Sequence, residues 1–143
     1  MTRRVYLDHN ASTPVHPEVV AEMTPYFGEV FGNPSSVHGF GRDAREGVDL
    51  ARERIGGFLK VPADQIVFTS GGTESDNFGV KGLALARGRG HVITSRIEHH
   101  AVLRSVQALE GQGFAATYLP VDEHGRVDPD DVIMAPDLAR RRG

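Results

Sequence analysis

The chain has 143 residues, of which 39% are apolar and 24% charged, and its net charge is -3. This length supports one hydrophobic core, so we expect a single folded unit. The charge balance has no basic excess that would favour nucleic acid or anionic lipid. Because the chain contains no cysteine, disulfides, thiolate metal sites and a nucleophilic thiol within it are excluded. No apolar h-region and no bilayer-length apolar run is present, which favours a cytoplasmic protein without a membrane partner.

The first half of the chain predicts a short strand and two helices. Val5–Leu7 has strand composition, and Pro17 opens a helix, since proline suits the first helical position. The segment Phe31–Gly41 is rich in Gly, Pro, Ser and Asn, which predicts a loop. Apolar residues recur at helical spacing on both helices, so we expect a buried stripe on each. The stripe residues are Val19, Val20, Met23 and Phe27 on the first helix, and Ala44, Val48, Ala51, Ile55 and Phe58 on the second.

The second half alternates strands with helices. We expect strands at Gln65–Ser70, His91–Ser95 and Ala116–Val121, and helices at Glu74–Ala86 and Ala101–Glu110. This alternation predicts right-handed βαβ crossovers and a mainly parallel sheet covered on both faces, and hence the α/β class. The last segment is different. A helix start at residues 128–132 is followed by Pro136 before any apolar stripe is established.

The turn TSGGTESDN, residues 69–77, has the composition of an anion site. In an open α/β sheet, ligands bind beyond the carboxyl ends of strands, where helix N-termini offer free N–H groups. Gly71 and Gly72 allow close approach of the main chain, and Thr73 adds a hydroxyl. We therefore predict a phosphate site. The alternative is a plain connection in which Thr73 only caps a helix beginning at Glu74, with Glu74 and Asp76 as helix-start acids.

The next strand ends in the turn EHH, on the same predicted rim of the sheet. His99 could there face a ligand, because an imidazole stacks on aromatic rings and transfers protons near neutral pH. The alternative is that Glu98, His99 and His100 are solvated turn residues. Metal binding is not indicated, since adjacent histidines rarely share one ion and no HExxH spacing accompanies them.

Four motifs then occur in order along the chain: YLDHNASTP, FGNPSSVHGFG, IVFTSGGTESDN and ITSRIEHHAVL. With them, the chain resembles the amino-terminal part of the cysteine desulfurases, enzymes of the class V aminotransferase group that use pyridoxal 5′-phosphate (PLP). The resemblance runs from about Val5 to Val132. It implies part of a type I PLP-dependent transferase fold, similar to aspartate aminotransferase, over residues 1–132. Selenocysteine lyases share parts of these motifs.

The resemblance also implies roles for particular residues. Gly72 and Thr73 match positions that hold the cofactor phosphate, and His99 matches the histidine that stacks on the pyridine ring and assists proton transfer. Asn10 and Ala11, with Ser12, match the stretch that lines the substrate pocket. The family converts cysteine to alanine, passes sulfur to an enzyme cysteine for uses such as iron–sulfur cluster assembly, and forms homodimers.

Several family groups have no match in this chain. The Schiff-base lysine lies in a Ser-x-His-Lys context, whereas the lysines here are Lys60 in FLKVP and Lys81 in GVKG. The partner aspartate of the ring nitrogen, the arginine for the substrate carboxylate and the sulfur-accepting cysteine are also absent. We therefore expect a chain that is inactive alone, with residues 133–143 a divergent tail from truncation or a frameshift. The alternatives are half of a split enzyme completed in trans, or a non-catalytic module that binds a phosphate ligand.

Overall fold

The structure is a computed structural model that describes residues 3–140, with the side chains of residues 3–135. It divides into two compact units, Met1–Val67 and Phe68–Gly143. The single unit expected from the length is therefore wrong, because each half packs mainly on its own elements. The expected divergent tail lies partly outside the described residues, and its origin stays a prediction.

The first unit is helical. α1 spans Pro17–Met23 and continues as a 3-10 helix over Thr24–Phe27. α2 spans Gly39–Leu59, and a second 3-10 helix spans Ala63–Gln65. Both predicted helices are confirmed, although α2 begins inside the predicted loop, where the ring of its N-cap His38 accepts from the Gly41 N–H at 3.3 Å.

Two expectations for this unit are wrong. No strand forms at Val5–Leu7, since the described residues offer it no partner strand. The stripe of α1 is exposed rather than buried, with Val20 at 48% and Phe27 at 76% exposure, and on α2 Phe58 is 86% exposed. Helical periodicity identifies the face that can be buried, but burial also needs a packing surface. Ala44 is the stripe residue that reaches the core, at 5% exposure.

The second unit has the alternating order that the sequence predicts. α3 spans Gly72–Arg87, β1 His91–Ser95, α4 His100–Glu110, β2 Ala115–Leu119 and α5 Pro129–Arg140. β1 and β2 pair in parallel, with His91 opposite Ala115 and Ser95 opposite Leu119. The α/β class and the parallel sheet are confirmed.

The predicted strand at Gln65–Ser70 is wrong. Gln65 ends a 3-10 helix, and the residues after it pair with no other strand among residues 3–140. A strand is defined by hydrogen bonds to a neighbour, so composition alone does not make one. At the other end of the unit, α5 continues through position 136, where the sequence suggested an interruption.

The core of this unit lies between α4, β2 and α5. Leu109 and Ala135 are fully buried, and Val106 and Leu119 are at 1% and 5% exposure. The one buried polar side chain of the described residues, Ser105, donates from Oγ to the Ala101 carbonyl at 2.7 Å, so its hydroxyl is satisfied. This packing fixes α4, and with it the turn that precedes α4. Over residues 3–140, no helix has the length and hydrophobicity needed to cross a membrane.

Candidate functional site: the amino-terminal turns of α3 and α4

The first turn of α3 presents main-chain donors that the helix does not use. Gly71 is the N-cap, and no side chain of the described residues caps this end. The first intrahelical hydrogen bond runs from the Ser75 N–H to the Gly71 carbonyl, at 3.1 Å. The N–H groups of Gly72 and Thr73 therefore have no acceptor within the helix. A Cβ added to Gly71 or to Gly72 would meet no heavy atom within 4 Å, so the approach to this turn is open.

Thr73 is not the N-cap that the connection hypothesis required. α3 begins at Gly72, two residues earlier than the sequence predicted, so Thr73 lies within the first turn. Its side chain is exposed, and its hydroxyl makes no hydrogen bond within the described part of the chain. The capping explanation for Thr73 is therefore wrong, and the hydroxyl is free to meet a ligand.

Side chains on both sides of the turn hold it in place. The N–H and the hydroxyl of Ser70 both donate to Glu74 Oε2 at 2.7 Å. The hydroxyls of Thr69 and Ser75 are 2.6 Å apart. Hydrogen bonds from the Ser70 side chain and backbone hold the pKa of Glu74 below its usual value. Glu74 is thus a first-turn acid, as expected, and it also reaches back to the residue before the N-cap, much like the acid of a capping box.

His99 is the N-cap of α4. Its Nδ1 accepts a hydrogen bond from the Ala101 N–H at 3.1 Å, and the ring is otherwise exposed. The turn before it is braced by the Ser95 hydroxyl, which donates to Glu98 Oε1 at 2.9 Å. An imidazole whose Nδ1 accepts carries its proton on Nε2 when neutral, so an N–H faces away from the helix. His99 is therefore more than a solvated turn residue.

The topology places these two turns at the same edge of the sheet. α3 leads into β1 and α4 leads into β2, and the two strands are parallel. Each helix runs back along the sheet before its strand, so both N-termini lie at the carboxyl edge. α3 and α4 also pack on each other. The predicted pairing of Gly72 and Thr73 with His99 at one edge is thus consistent with the fold of this unit.

Asn10 and Ala11 lie in the first unit, in a turn closed by hydrogen bonds. The N–H groups of Ala11 and Ser12 donate to the Asp8 carbonyl at 3.1 and 3.3 Å. The hydroxyl of Tyr6 lies 2.9 Å from that of Ser12. Asn10 is exposed, and its amide makes no hydrogen bond with any described residue. The turn is ordered by its neighbours and leaves the Asn10 side chain available.

The two lysines of the chain lie at the end of α2 and within α3. Lys60 ends α2 in the left-handed conformation, at φ 58°, and its N–H donates to the Gly56 carbonyl. Lys81 lies within α3, eight residues after Thr73, which is about 12 Å along the helix axis. Among the described side chains, no group of three or more potential ligands could hold a metal ion.

These features define an α/β protein in which the first turn of α3 leaves main-chain N–H groups free and an imidazole caps α4. The sequence profile of the class-V aminotransferases matches residues 5–137, so the chain belongs to this family. The class-V aminotransferase family depends on PLP. The sequence is 53% identical over 138 residues to the cysteine desulfurase IscS of Dictyoglomus turgidum, covering 94% of this chain and 35% of that protein.

Solved structures give the same result. A NifS-like protein matches with a TM-score of 0.84 and 39% identity, over 91% of this chain and 36% of that one. The protein SspA, solved in complex with cysteine, matches with a TM-score of 0.83 and 41% identity, over 91% of this chain and 38% of that one. The resemblance drawn from the four motifs is confirmed. The chain spans little more than a third of the length of these relatives.

Proposed function

We propose that this chain supplies the PLP phosphate site and the ring-facing histidine of a cysteine desulfurase. The observation that carries the proposal is the first turn of α3, where two N–H groups and the Thr73 hydroxyl point outward without partners in the described residues. When bound, PLP provides an electron sink that makes bonds near the α-carbon of an amino acid easier to break.

The turn has the properties that a phosphate group requires. The helix N-terminus carries a partial positive charge, and its N–H groups match phosphate oxygens as acceptors. Glu74 is the acid nearest in sequence, and both hydrogen bonds recorded for its carboxylate come from Ser70. We infer that Gly72 and Thr73 bind the phosphate through their N–H groups and that Thr73 adds its hydroxyl.

We propose that His99 makes a second contact with the cofactor. Its N-cap bond from Ala101 holds Nδ1, and the residue is otherwise exposed. In the proposal, one face stacks on the pyridine ring, and Nε2 moves a proton to or from the substrate. We further propose that Asn10 and Ala11 contact the substrate, cysteine, a choice that the cysteine-bound relative SspA supports.

The proposed reaction needs groups that this chain does not contain. It has no cysteine to accept sulfur, and neither Lys60 nor Lys81 has the family context. We infer that the chain alone does not catalyse, and that the other two thirds of the enzyme come from a continuous or a separate polypeptide. Assembly as a homodimer and a role in iron–sulfur cluster formation belong to the same proposal.

Titration of the purified chain tests the phosphate site directly. We expect PLP and inorganic phosphate each to shift the amide NMR signals of Gly72 and Thr73. Thr73→Ala should weaken both ligands by about 10- to 150-fold, since a hydrogen bond to a charged group is worth roughly 1.5–3 kcal/mol. Thr73→Ser keeps the hydroxyl and should retain affinity. Signals at Gly72 that stay unmoved at saturating PLP would show that this turn is not the site.

Reduction of a PLP mixture with borohydride tests catalytic competence. Without a correctly placed lysine, PLP should form no Schiff base at one particular position of the chain. We therefore expect no visible absorption band from such an adduct and no single covalently labelled position after reduction. A single labelled lysine, found by peptide mapping at Lys60 or Lys81, would contradict this inference. Free lysine in the mixture serves as the positive control for the chemistry.

A further inference from the structure

Two hydroxyl groups around the first turn of α3 already have acceptors within the turn. Thr69 Oγ1 donates to the Gly71 carbonyl at 3.2 Å. Each hydroxyl has one hydrogen, so the 2.6 Å contact between the hydroxyls of Thr69 and Ser75 uses the hydrogen of Ser75. Neither hydroxyl therefore has a hydrogen left to donate to a bound anion.

Glu74 occupies the donors of Ser70. Its Oε2 accepts from both the N–H and the hydroxyl of Ser70, each at 2.7 Å. These bonds hold the pKa of Glu74 below its usual value, so the side chain is ionised at neutral pH. A negative charge therefore lies against the residue that precedes the N-cap, Gly71.

The donors that remain free belong to the first turn of α3. The N–H groups of Gly72 and Thr73 have no acceptor within the helix, and the Thr73 hydroxyl has none among the described residues. These donors suit the three terminal oxygens of one phosphate group. A loop that holds a second phosphate group presents further main-chain N–H groups and a lysine, as in the motif GxxxxGK[ST]. Here the donors of Ser70, just before the N-cap, are taken by Glu74.

We propose that Glu74 makes the first turn of α3 selective for a single phosphate group over a diphosphate. The inference rests on the proposed function and names the ligand class of the same site, a phosphate monoester. A second phosphate group that reached toward Ser70 would find both donors occupied, and it would be repelled by the carboxylate beside them. Glu74 thus determines specificity by withholding donors, without touching the bound phosphate.

Titration with inorganic phosphate and inorganic diphosphate, followed by the amide NMR signals of Gly72 and Thr73, tests the proposal. In the parent chain, the two affinities should agree within about threefold, although diphosphate carries more charge. Glu74→Ala releases the donors of Ser70 and removes the charge. It should strengthen diphosphate binding by at least about tenfold, the gain from one hydrogen bond to a charged group. An unchanged ratio of the two affinities in Glu74→Ala would overturn the proposal.

Two further variants separate the released donors from the lost charge. Glu74→Gln keeps an acceptor for Ser70 but loses the negative charge, so its gain in diphosphate affinity should be smaller than that of Glu74→Ala. Asp76→Asn removes one negative charge from the same turn of the same helix and leaves Glu74 in place. It should not change the ratio of the two affinities. Equal gains in Asp76→Asn and Glu74→Ala would indicate a general effect of charge and would contradict the proposal.

Glu74→Ala also removes two hydrogen bonds that hold the turn. If it weakens phosphate and diphosphate alike, Glu74 only holds the turn and does not select the ligand, which refutes the inference. Adding Ser70→Ala to Glu74→Ala removes the released hydroxyl, and it should reduce the gain in diphosphate affinity; a gain that persists in full would argue against the role of Ser70.

The same titrations distinguish this inference from the proposed function. Signals at Gly72 and Thr73 that do not respond to phosphate in the parent chain would refute the proposed function. A clear response to phosphate, with the same selectivity in the parent chain and in Glu74→Ala, would refute only the role of Glu74.

Discussion

Replacing His99 with alanine or asparagine separates the two roles that the structure gives this residue. His99→Ala removes both the Nδ1 acceptor for the Ala101 N–H and the imidazole ring. His99→Asn removes the ring but keeps a side-chain acceptor of the kind preferred at N-caps. The pair therefore distinguishes capping of α4 from contact with a cofactor.

The size of the capping effect follows from the single hydrogen bond. Loss of an N-cap acceptor costs about 1 kcal/mol, roughly a fivefold change in the unfolding equilibrium. For a unit of this size, that lowers Tm by about 4–8 °C. His99→Asn should stay within about 2 °C of the parent chain. Circular dichroism measures both, and His100→Asn, which alters the neighbouring ring, serves as the control.

Stability should distinguish the two substitutions at His99, whereas ligand binding should not. Both substitutions at His99 should weaken PLP by about 2- to 10-fold, the range expected for loss of an aromatic stacking contact. Neither should alter affinity for inorganic phosphate, which has no ring. Equal loss of stability in His99→Ala and His99→Asn would refute the capping assignment. Unchanged PLP affinity in both would refute the ring contact.

Three further predictions concern stability. Hydrogen bonds from Ser70 lower the pKa of Glu74 in the folded chain. The ionised carboxylate therefore stabilises the fold above the ordinary carboxyl pKa, and this stabilisation is lost as pH falls through the folded value. Glu74→Gln should lack this loss of stability in an acid titration. Burial, with the hydrogen bond to Glu110, raises the pKa of Tyr118 to about 12. Stability should therefore fall as pH rises from about 10 to 12, and Tyr118→Phe should remove that loss in alkaline urea titrations. Leu109→Ala should cost about 2–5 kcal/mol in urea unfolding, because Leu109 is fully buried.

The elements that the sequence predicted correctly are those whose signals are local. α2 and α4 follow from apolar spacing at helical period, and the end of α3 follows from its closing glycines, with Gly88 at a φ of 72° that suits glycine. The strand expected at Gln65–Ser70 has an equally apolar run, but it joins neither strand of the sheet that residues 3–140 form. The stripe of α1 is exposed for a similar reason. Helical periodicity identifies the face that can be buried, but it does not supply a surface to pack against.

The candidate site shows a similar division. Glycine and threonine after a predicted strand made Gly72 and Thr73 candidates for a phosphate site, which stays a prediction, but the start of α3 was placed two residues late. That small error mattered, because it made Thr73 a cap instead of a free donor. The capping role of His99 had no sequence signal, since histidine is not among the favoured N-cap residues. Only the geometry of Nδ1 reveals it.

Side-chain hydrogen bonds within residues 69–75 hold the first turn of α3. Ser70 bonds to Glu74, and Thr69 lies against Ser75, at separations of four and six residues. A turn held by such short-range bonds needs only α3 and the residues next to it in order to form. The proposed reaction, by contrast, needs a lysine and a cysteine that this sequence does not supply. If the proposed function is correct, the isolated chain should bind the cofactor phosphate without catalysing the reaction.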